Sequence, residues 1–171
     1  MGGKIHIYTG NGKGKTTAAI GLAIRAVSAG YKVFIGQFVK SQIYSEIDYI
    51  NKNIPQIETA QYGLDCFIIN EPTAEDIKAA KKGLEEITEK INSTKYNLII
   101  LDEITIALYY KLFSTEELLT ILKAKPKNCE IVITGRYAPK ELIEIADLVT
   151  DMQEVKHYYN QGVKARKGIE F

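Results

Sequence analysis

Lys15, Thr16 and Thr17 follow three alternate glycines, Gly10, Gly12 and Gly14, with Asn11 and Lys13 between them. Residues of these types at this spacing handle phosphate. The glycines let the backbone curl until successive N–H groups face one anion. Lys15 adds a point charge for phosphate oxygens, and the Thr16 hydroxyl can ligate Mg²⁺. A short apolar strand at residues 5–8 leads into this turn, and residues 18–24 leave it as a helix. Strand, glycine-rich turn and helix make a phosphate-binding loop, whose helix end also favours the anion. The usual spacing asks for glycine five residues before Gly14, where this chain has Thr9. A glycine-rich turn without a ligand is the plainer alternative; the flanking strand and helix favour a nucleotide.

A second group of candidates is Asp102-Glu103, at the end of the continuous apolar run 98–101. In an open parallel sheet, ligands gather at the carboxyl ends of strands. A carboxylate there holds Mg²⁺ directly or through water. Glu103 either completes a metal site or polarises a water for ATP hydrolysis. The alternative is two acids opening a helix. Gln37-Phe38-Val39-Lys40 and Thr134-Gly135-Arg136 leave two further strands toward the same crevice. The planar fork of Arg136 suits a polyphosphate. For Lys40 a surface cation is the simpler reading. Arg25, ten residues after Lys15 on the first helix, is either a site residue or part of a structural ion pair.

The elements that must position these groups alternate along the chain. Helices are expected at 16–29, ended by a left-handed Gly30, near 45–51, and from Thr73 onward, where Thr73-Ala74-Glu75-Asp76 is a capping-box signature. Ile77, Leu84, Ile87 and Ile91 fall on one face of that helix. Ser114-Thr115-Glu116-Glu117 caps another, carrying Leu118, Leu119 and Leu122, and Pro139 suits the first position of a helix running through Ala146. Strands are expected at 32–38, 57–62, 98–101, 130–134 and 148–152. This alternation predicts an α/β fold with a mostly parallel sheet flanked by helices.

The 171 residues suffice for one domain with a sizeable core, and 46% hydrophobic with 25% charged residues is ordinary for a globular chain. A net charge of +1 leaves no electrostatic footprint for nucleic acid or a membrane, and no apolar run is long enough to span one. Cys66 and Cys129 lack ligand partners at metal spacing and read as buried thiols in a reducing cytoplasm. His157 reads as a packed or surface residue. Residues 162–171 hold two glycines, four charged residues and a terminal aromatic, which suits an ordered turn over a site or interface.

Taken in order, these pieces resemble the ATP:corrinoid adenosyltransferases of cobalamin synthesis and salvage. The matching text is residues 9–19, 37–40, 101–104, 132–136, 146–149, 155–157, 162–165 and 168–171, nearly the whole chain. The C-terminal signature is more specific than the loop, and Thr9 looks like this family's own form of it. The resemblance implies a phosphate-loop fold of RecA-like architecture. It also implies transfer of the 5′-deoxyadenosyl group from ATP to the Co(I) of a corrinoid, with release of triphosphate. The nucleophile is then cobalt, so no side chain need attack. ATP lies reversed in the family. Carried over by position, Gly10 and the residues from Asn11 to Thr17 hold the triphosphate, Thr16 and Glu103 with Asp102 beside them hold Mg²⁺, and Arg25 and Arg136 are further ATP contacts. A reducing flavoprotein such as flavodoxin, a homodimer and a cytoplasmic location belong to the same implication.

Three departures stand out. Some relatives displace the lower cobalt ligand with a Phe-x-Trp pair, and this chain has no tryptophan. Leu64 and Phe67 are the corrinoid-facing candidates instead. Ser41 stands where glycine is common. The chain opens only a few residues before its first strand, so the N-terminal helix that caps the site in longer relatives is not expected. Three competing functions remain distinguishable. A small-molecule kinase wants an arginine-rich lid, but the chain has only Arg25, Arg136 and Arg166. A GTP switch wants Asn-Lys-x-Asp, and Asn51-Lys52-Asn53-Ile54 lacks the acid. An ATPase motor would produce ADP.

Overall fold

The computed structural model of the chain describes residues 2–40, 44–64 and 71–171. Ser41, Cys66 and Phe67 lie outside the described residues. Strands and helices alternate as β1 (Ile5–Thr9), α1 (Lys15–Ser28), β2 (Val33–Phe38), α2 (Ser45–Asn53), β3 (Ile57–Tyr62), α3 (Ala74–Asn92) and β4 (Leu98–Asp102). They continue as α4 (Ile104–Tyr109), α5 (Thr115–Lys123), β5 (Glu130–Thr134), α6 (Lys140–Ile145) and β6 (Leu148–Asp151), before a 3₁₀ turn at Tyr158–Gln161. The strands form one sheet in the order β3-β2-β4-β5-β1-β6, with every pairing parallel.

The apolar runs follow from this burial. A parallel strand covered on both faces has no solvent side to alternate toward, and β2 is buried at all six positions. On one face Ile99, Leu101, Ile131 and Ile133 pack with Ile87 and Ile91 of α3 and Leu118 and Leu122 of α5. On the other, Ile35, Ile100 and Val132 meet Ala19, Ala23 and Ala26 of α1. Each fully buried isoleucine or leucine contributes roughly 1.5–3 kcal/mol of transfer free energy. The small alanines bring α1 close to the sheet and so hold its N-terminus above the strand ends.

The caps form as the residues predict. Thr73 and Ser114 each make a capping box, with Asp76 and Glu117. Gly30 ends α1 at φ 84°, and the Gly30 and Tyr31 amides donate to the Val27 and Ala26 carbonyls. Pro139 is the N-cap of α6 rather than its first helical residue, because its ψ of 148° is extended. Helix α4 is not foreshadowed by any amphipathic period. Four of its six residues are buried, so it presents no polar face. Cys129 is a buried thiol, pushed up to about 11 by desolvation. Among the described residues no helix is long and apolar enough to cross a membrane.

Strand order does most to build the site. β5 lies between β1 and β4, and β2 adjoins β4 on its other side. The carboxyl ends of β1, β5, β4 and β2 therefore stand side by side. The left-handed non-glycine residues Val39, Glu103 and Tyr137, at φ 55°, 58° and 58°, follow β2, β4 and β5 at that same edge. Such backbone conformations are costly for residues with a Cβ and concentrate at functional sites.

Candidate nucleotide site

The loop between β1 and α1 wraps a cavity of about 320 Å³. Its glycines are needed for two different reasons. Gly10 and Gly14 adopt φ 97° and 121°, which side chains disfavour. Gly12 is required by space: a Cβ there would lie 2.6 Å from the Met152 carbonyl, to which the Gly12 amide donates. The loop is thus stitched to the end of β6. Lys15, only 6% exposed, donates to the Gly10 and Gly12 carbonyls at 2.7 Å each. Burial lowers the pKa of its ammonium, with the Arg136 charge adding to the effect, against the pull of Glu103, Asp102 and Asp151.

Beneath the loop, Asp102 is 1% exposed and accepts four hydrogen bonds. Thr16 and Thr134 hydroxyls donate to Oδ1 at 2.8 and 2.7 Å, and Gln37 Nε2 and Lys40 Nζ donate to Oδ2 at 2.9 Å each. Burial alone would raise this carboxyl, but the Lys40 charge and the bonds from Lys40, Thr134 and Thr16 hold it below the ordinary range. Lys40 is accordingly a partner of Asp102 with a side chain only 15% exposed, not the surface cation its sequence position suggests. Asp102 spends both oxygens on protein donors. By accepting the Thr16 hydrogen bond it fixes the hydroxyl proton and leaves the lone pairs of Oγ1 free.

Glu103 has the opposite surroundings. Its backbone amide donates to Thr134 Oγ1 at 3.0 Å, but its carboxylate has no hydrogen bond or ion pair among the described residues. Burial first, and then the charge of Asp102, raises its pKa against Lys40, Lys15 and Arg136. The carboxylate lines the loop cavity and lies beside Gly135, where a Cβ would come within 3.3 Å of Oε2. The same Cβ would lie 2.2 Å from Thr105 Oγ1, so Gly135 at φ 134° admits no side chain. Thr105 in turn donates to the Arg136 carbonyl at 2.7 Å and fixes the turn that delivers Arg136 to the cavity.

The remaining expectations divide. Asn11, Gly12, Lys13, Gly14, Lys15, Thr16, Thr17, Glu103 and Arg136 all line the one cavity. Arg25 does not reach it. It occupies the last turn of α1, about 15 Å along the helix from Lys15 at 1.5 Å per residue. There it lines a separate cavity of about 490 Å³ with His6, Tyr31, Asn97 and Glu130. Lys13 lines the cavity while its ammonium bonds to Tyr158, Ile169 and Glu170. Leu64 is 37% exposed and follows Gly63, which packs against the Lys40 backbone at the carboxyl edge. Sequence reasoning placed Gln37 and Thr134 at the crevice without giving them a role, and missed Thr105 as a site-builder. Polar residues inside otherwise apolar segments were the available signal for all three. It also missed His157 as a lining residue; its Nδ1 accepts from the Tyr159 amide, while the residue borders the cavity.

The cavity thus brings together loop amides, the cations Lys15 and Arg136, the Thr16 hydroxyl and one carboxylate, Glu103, that is unpaired among the described residues. The family described as ATP:corrinoid adenosyltransferase BtuR/CobO/CobP matches residues 2–171. A corrinoid adenosyltransferase of Sinorhizobium sp is 36% identical over 172 residues, covering 99% of this chain and 80% of the relative. The corrinoid adenosyltransferase of Escherichia coli K12 is 32% identical over 170 residues, covering 99% and 86%. Salmonella typhimurium LT2 has a relative named corrinoid adenosyltransferase CobA with the same identity and coverage. With the match running nearly end to end, the chain belongs to the ATP:corrinoid adenosyltransferase family.

Proposed function

We propose that this chain transfers the 5′-deoxyadenosyl group of ATP to the Co(I) centre of a corrinoid, forming adenosylcobalamin and releasing triphosphate. The observation that carries the reading is the convergence of Lys15, Thr16, Glu103 and Arg136 on one cavity in a member of this family. A cobalt–carbon bond forms as the C5′–oxygen bond breaks, and that electron pair leaves on the triphosphate. The protein's own work is to hold C5′ in line and to stabilise the charge that develops on the leaving group. Loop amides, Lys15 and Arg136 serve the second task. Thr16 and Glu103 would hold Mg²⁺, which when bound neutralises phosphate charge. Two protein oxygens suit an ion that keeps waters and phosphates as its other ligands.

Several finer features belong to the same reading: a single catalytic domain over 1–171, a homodimer, a cytoplasmic location and a reducing flavoprotein such as flavodoxin to supply Co(I). Leu64 and Phe67 are the proposed residues facing the lower side of the corrin. Spectroscopy of Co(II)-cobalamin with ATP tests them, since Phe67→Ala should form less of the four-coordinate species.

A product assay tests the reaction itself. With Mg-ATP and chemically reduced cobalamin, the expected products are adenosylcobalamin and triphosphate, and Lys15→Ala should slow transfer about 100-fold or more. ADP as the product would replace this reading with an ATPase, and near-normal transfer by Lys15→Ala would sink the phosphate-loop assignment.

A further inference from the structure

The C-terminal residues wall one side of the phosphate cavity, and their attachment runs through the loop. Lys13 Nζ donates to the Ile169 carbonyl at 2.8 Å, Glu170 Oε1 at 2.9 Å and the Tyr158 hydroxyl at 3.0 Å. Three acceptors use up the three protons of an ammonium. Glu170, whose side chain is 16% exposed, has further donors of its own. The Arg166 amide reaches Oε2 at 2.7 Å, its guanidinium reaches both oxygens at 3.3 Å, and the Tyr158 hydroxyl contacts Oε1. Lys13 and Arg166 both lie over the Tyr158 ring, 5.7 and 5.1 Å from its centre.

The last residues are held as well. Ser45 Oγ, at the start of α2, donates to the Phe171 main-chain oxygen at 3.2 Å. Residues 168–171 line a cleft of about 250 Å³ with Thr17 and Ile20 of α1 and Ser45 and Glu46 of α2. Left-handed Gly162 and Gly168, at φ 82° and 78°, turn the chain back toward the loop. The segment therefore bonds to the phosphate loop and to the start of α2, and shares a cleft with the first turns of α1.

We propose that Glu170 is a positioning residue for the phosphate loop: by engaging Lys13 it pins residues 158–171 as a strap, so that strap and loop order together when a polyphosphate binds. Lys13 is on this account an anchor and not a phosphate ligand. An ammonium with three good acceptors has little to gain by turning to a phosphate. The curvature it fixes sets where the neighbouring loop amides point. The proposal rests on the adenosyltransferase reading only for the identity of the polyphosphate, ATP before transfer and triphosphate after it.

Tripolyphosphate with Mg²⁺ is the probe, on the full chain. Calorimetry reads its affinity and hydrogen exchange reads the strap. In the unmutated chain the probe should slow exchange across 158–171. Lys13→Ala and Glu170→Ala should each weaken binding about 10-fold and abolish that protection, and the double variant should be no weaker than either single one. Glu170→Gln keeps an acceptor and should recover most of the affinity. Thermal melts confirm that each variant is folded. Tighter binding by Glu170→Ala alongside weaker binding by Lys13→Ala would overturn the proposal, because Lys13 would then be a phosphate ligand that Glu170 restrains. Additive losses, or no protection of the strap, would overturn it too. A chain whose strap responds but which yields ADP keeps this inference and loses the proposed reaction.

Discussion

Asp102 and Glu170 each gather donors beside the phosphate loop, one beneath it and one at its rim. Asp102 is 1% exposed and draws Thr16, Thr134, Gln37 and Lys40 from two strand ends and the head of α1. Glu170 draws Lys13, Tyr158 and Arg166 at the surface. Similar hydrogen-bond counts do not mean similar energies. A buried carboxylate stripped of a partner has no water to turn to, whereas a rim carboxylate does. Glu103 sits between these cases, with burial raising its pKa and no donor on its carboxylate among the described residues. The three acids therefore divide the work: Asp102 fixes the frame, Glu103 is left available, and Glu170 adjusts the edge.

The sharpest break in this comparison is Asp102→Ala. It leaves Lys40 buried without its counter-charge and should cost about 3–5 kcal/mol. At 2–4 °C per kcal/mol for a chain of this size, the melting temperature should fall by roughly 6–20 °C. The pH dependence follows from the depressed carboxyl. Its stabilisation is present above the ordinary aspartate value of about 3.9 and is lost as pH falls through the lower folded value. Melts at neutral and acid pH should show the gap between variant and unmutated chain narrowing in acid. A gap that stays constant would deny Asp102 its charged role.

Glu103→Gln should act in the opposite direction on stability. A carboxyl raised by burial and by Asp102 is best tolerated protonated, below its ordinary value, and becomes costly as pH rises through its folded value. The amide should therefore stabilise the neutral-pH chain by about 1 kcal/mol, a few degrees in melting temperature, while raising the Mg²⁺ needed for adenosyl transfer. The gain should vanish below about pH 4, where the native carboxyl is protonated as well. Loss of stability instead would mean that this carboxylate has a partner. The smallest effect belongs to Glu170→Ala, whose melting temperature should stay within about 2 °C of the unmutated chain. Its loss of tripolyphosphate affinity should be smaller at high salt, because exposed charges are screened.

Much of this site was readable one segment at a time. The glycine spacing ahead of Lys15-Thr16 marked the loop, the apolar run before Asp102-Glu103 marked a strand end, and Thr73 and Ser114 marked their helices by local capping chemistry. Helix α4 escaped because a short buried helix has no polar face to create a period. Lys40 looked like a surface cation because nothing near it in the chain reveals Asp102, which pairs with it from 62 residues away. Arg25 was a site residue only by resemblance, and the rise of α1 carries it about 15 Å along the helix from Lys15, to line a different cavity.

The sequence by itself determined the α/β alternation, the glycine-rich loop and the paired acids, since apolar period, glycine spacing and capping are short-range properties, while the family was legible as a resemblance of motifs along nearly the whole chain. Only the tertiary structure decided which acid is spent and which is free, where Lys13 points, and that the C-terminal strap shares the cavity. Those outcomes depend on strand order and on contacts between residues more than sixty or even 150 positions apart, such as Lys40 with Asp102 and Lys13 with Glu170. Burial assigns each charge its energy only after such distant groups have been brought together.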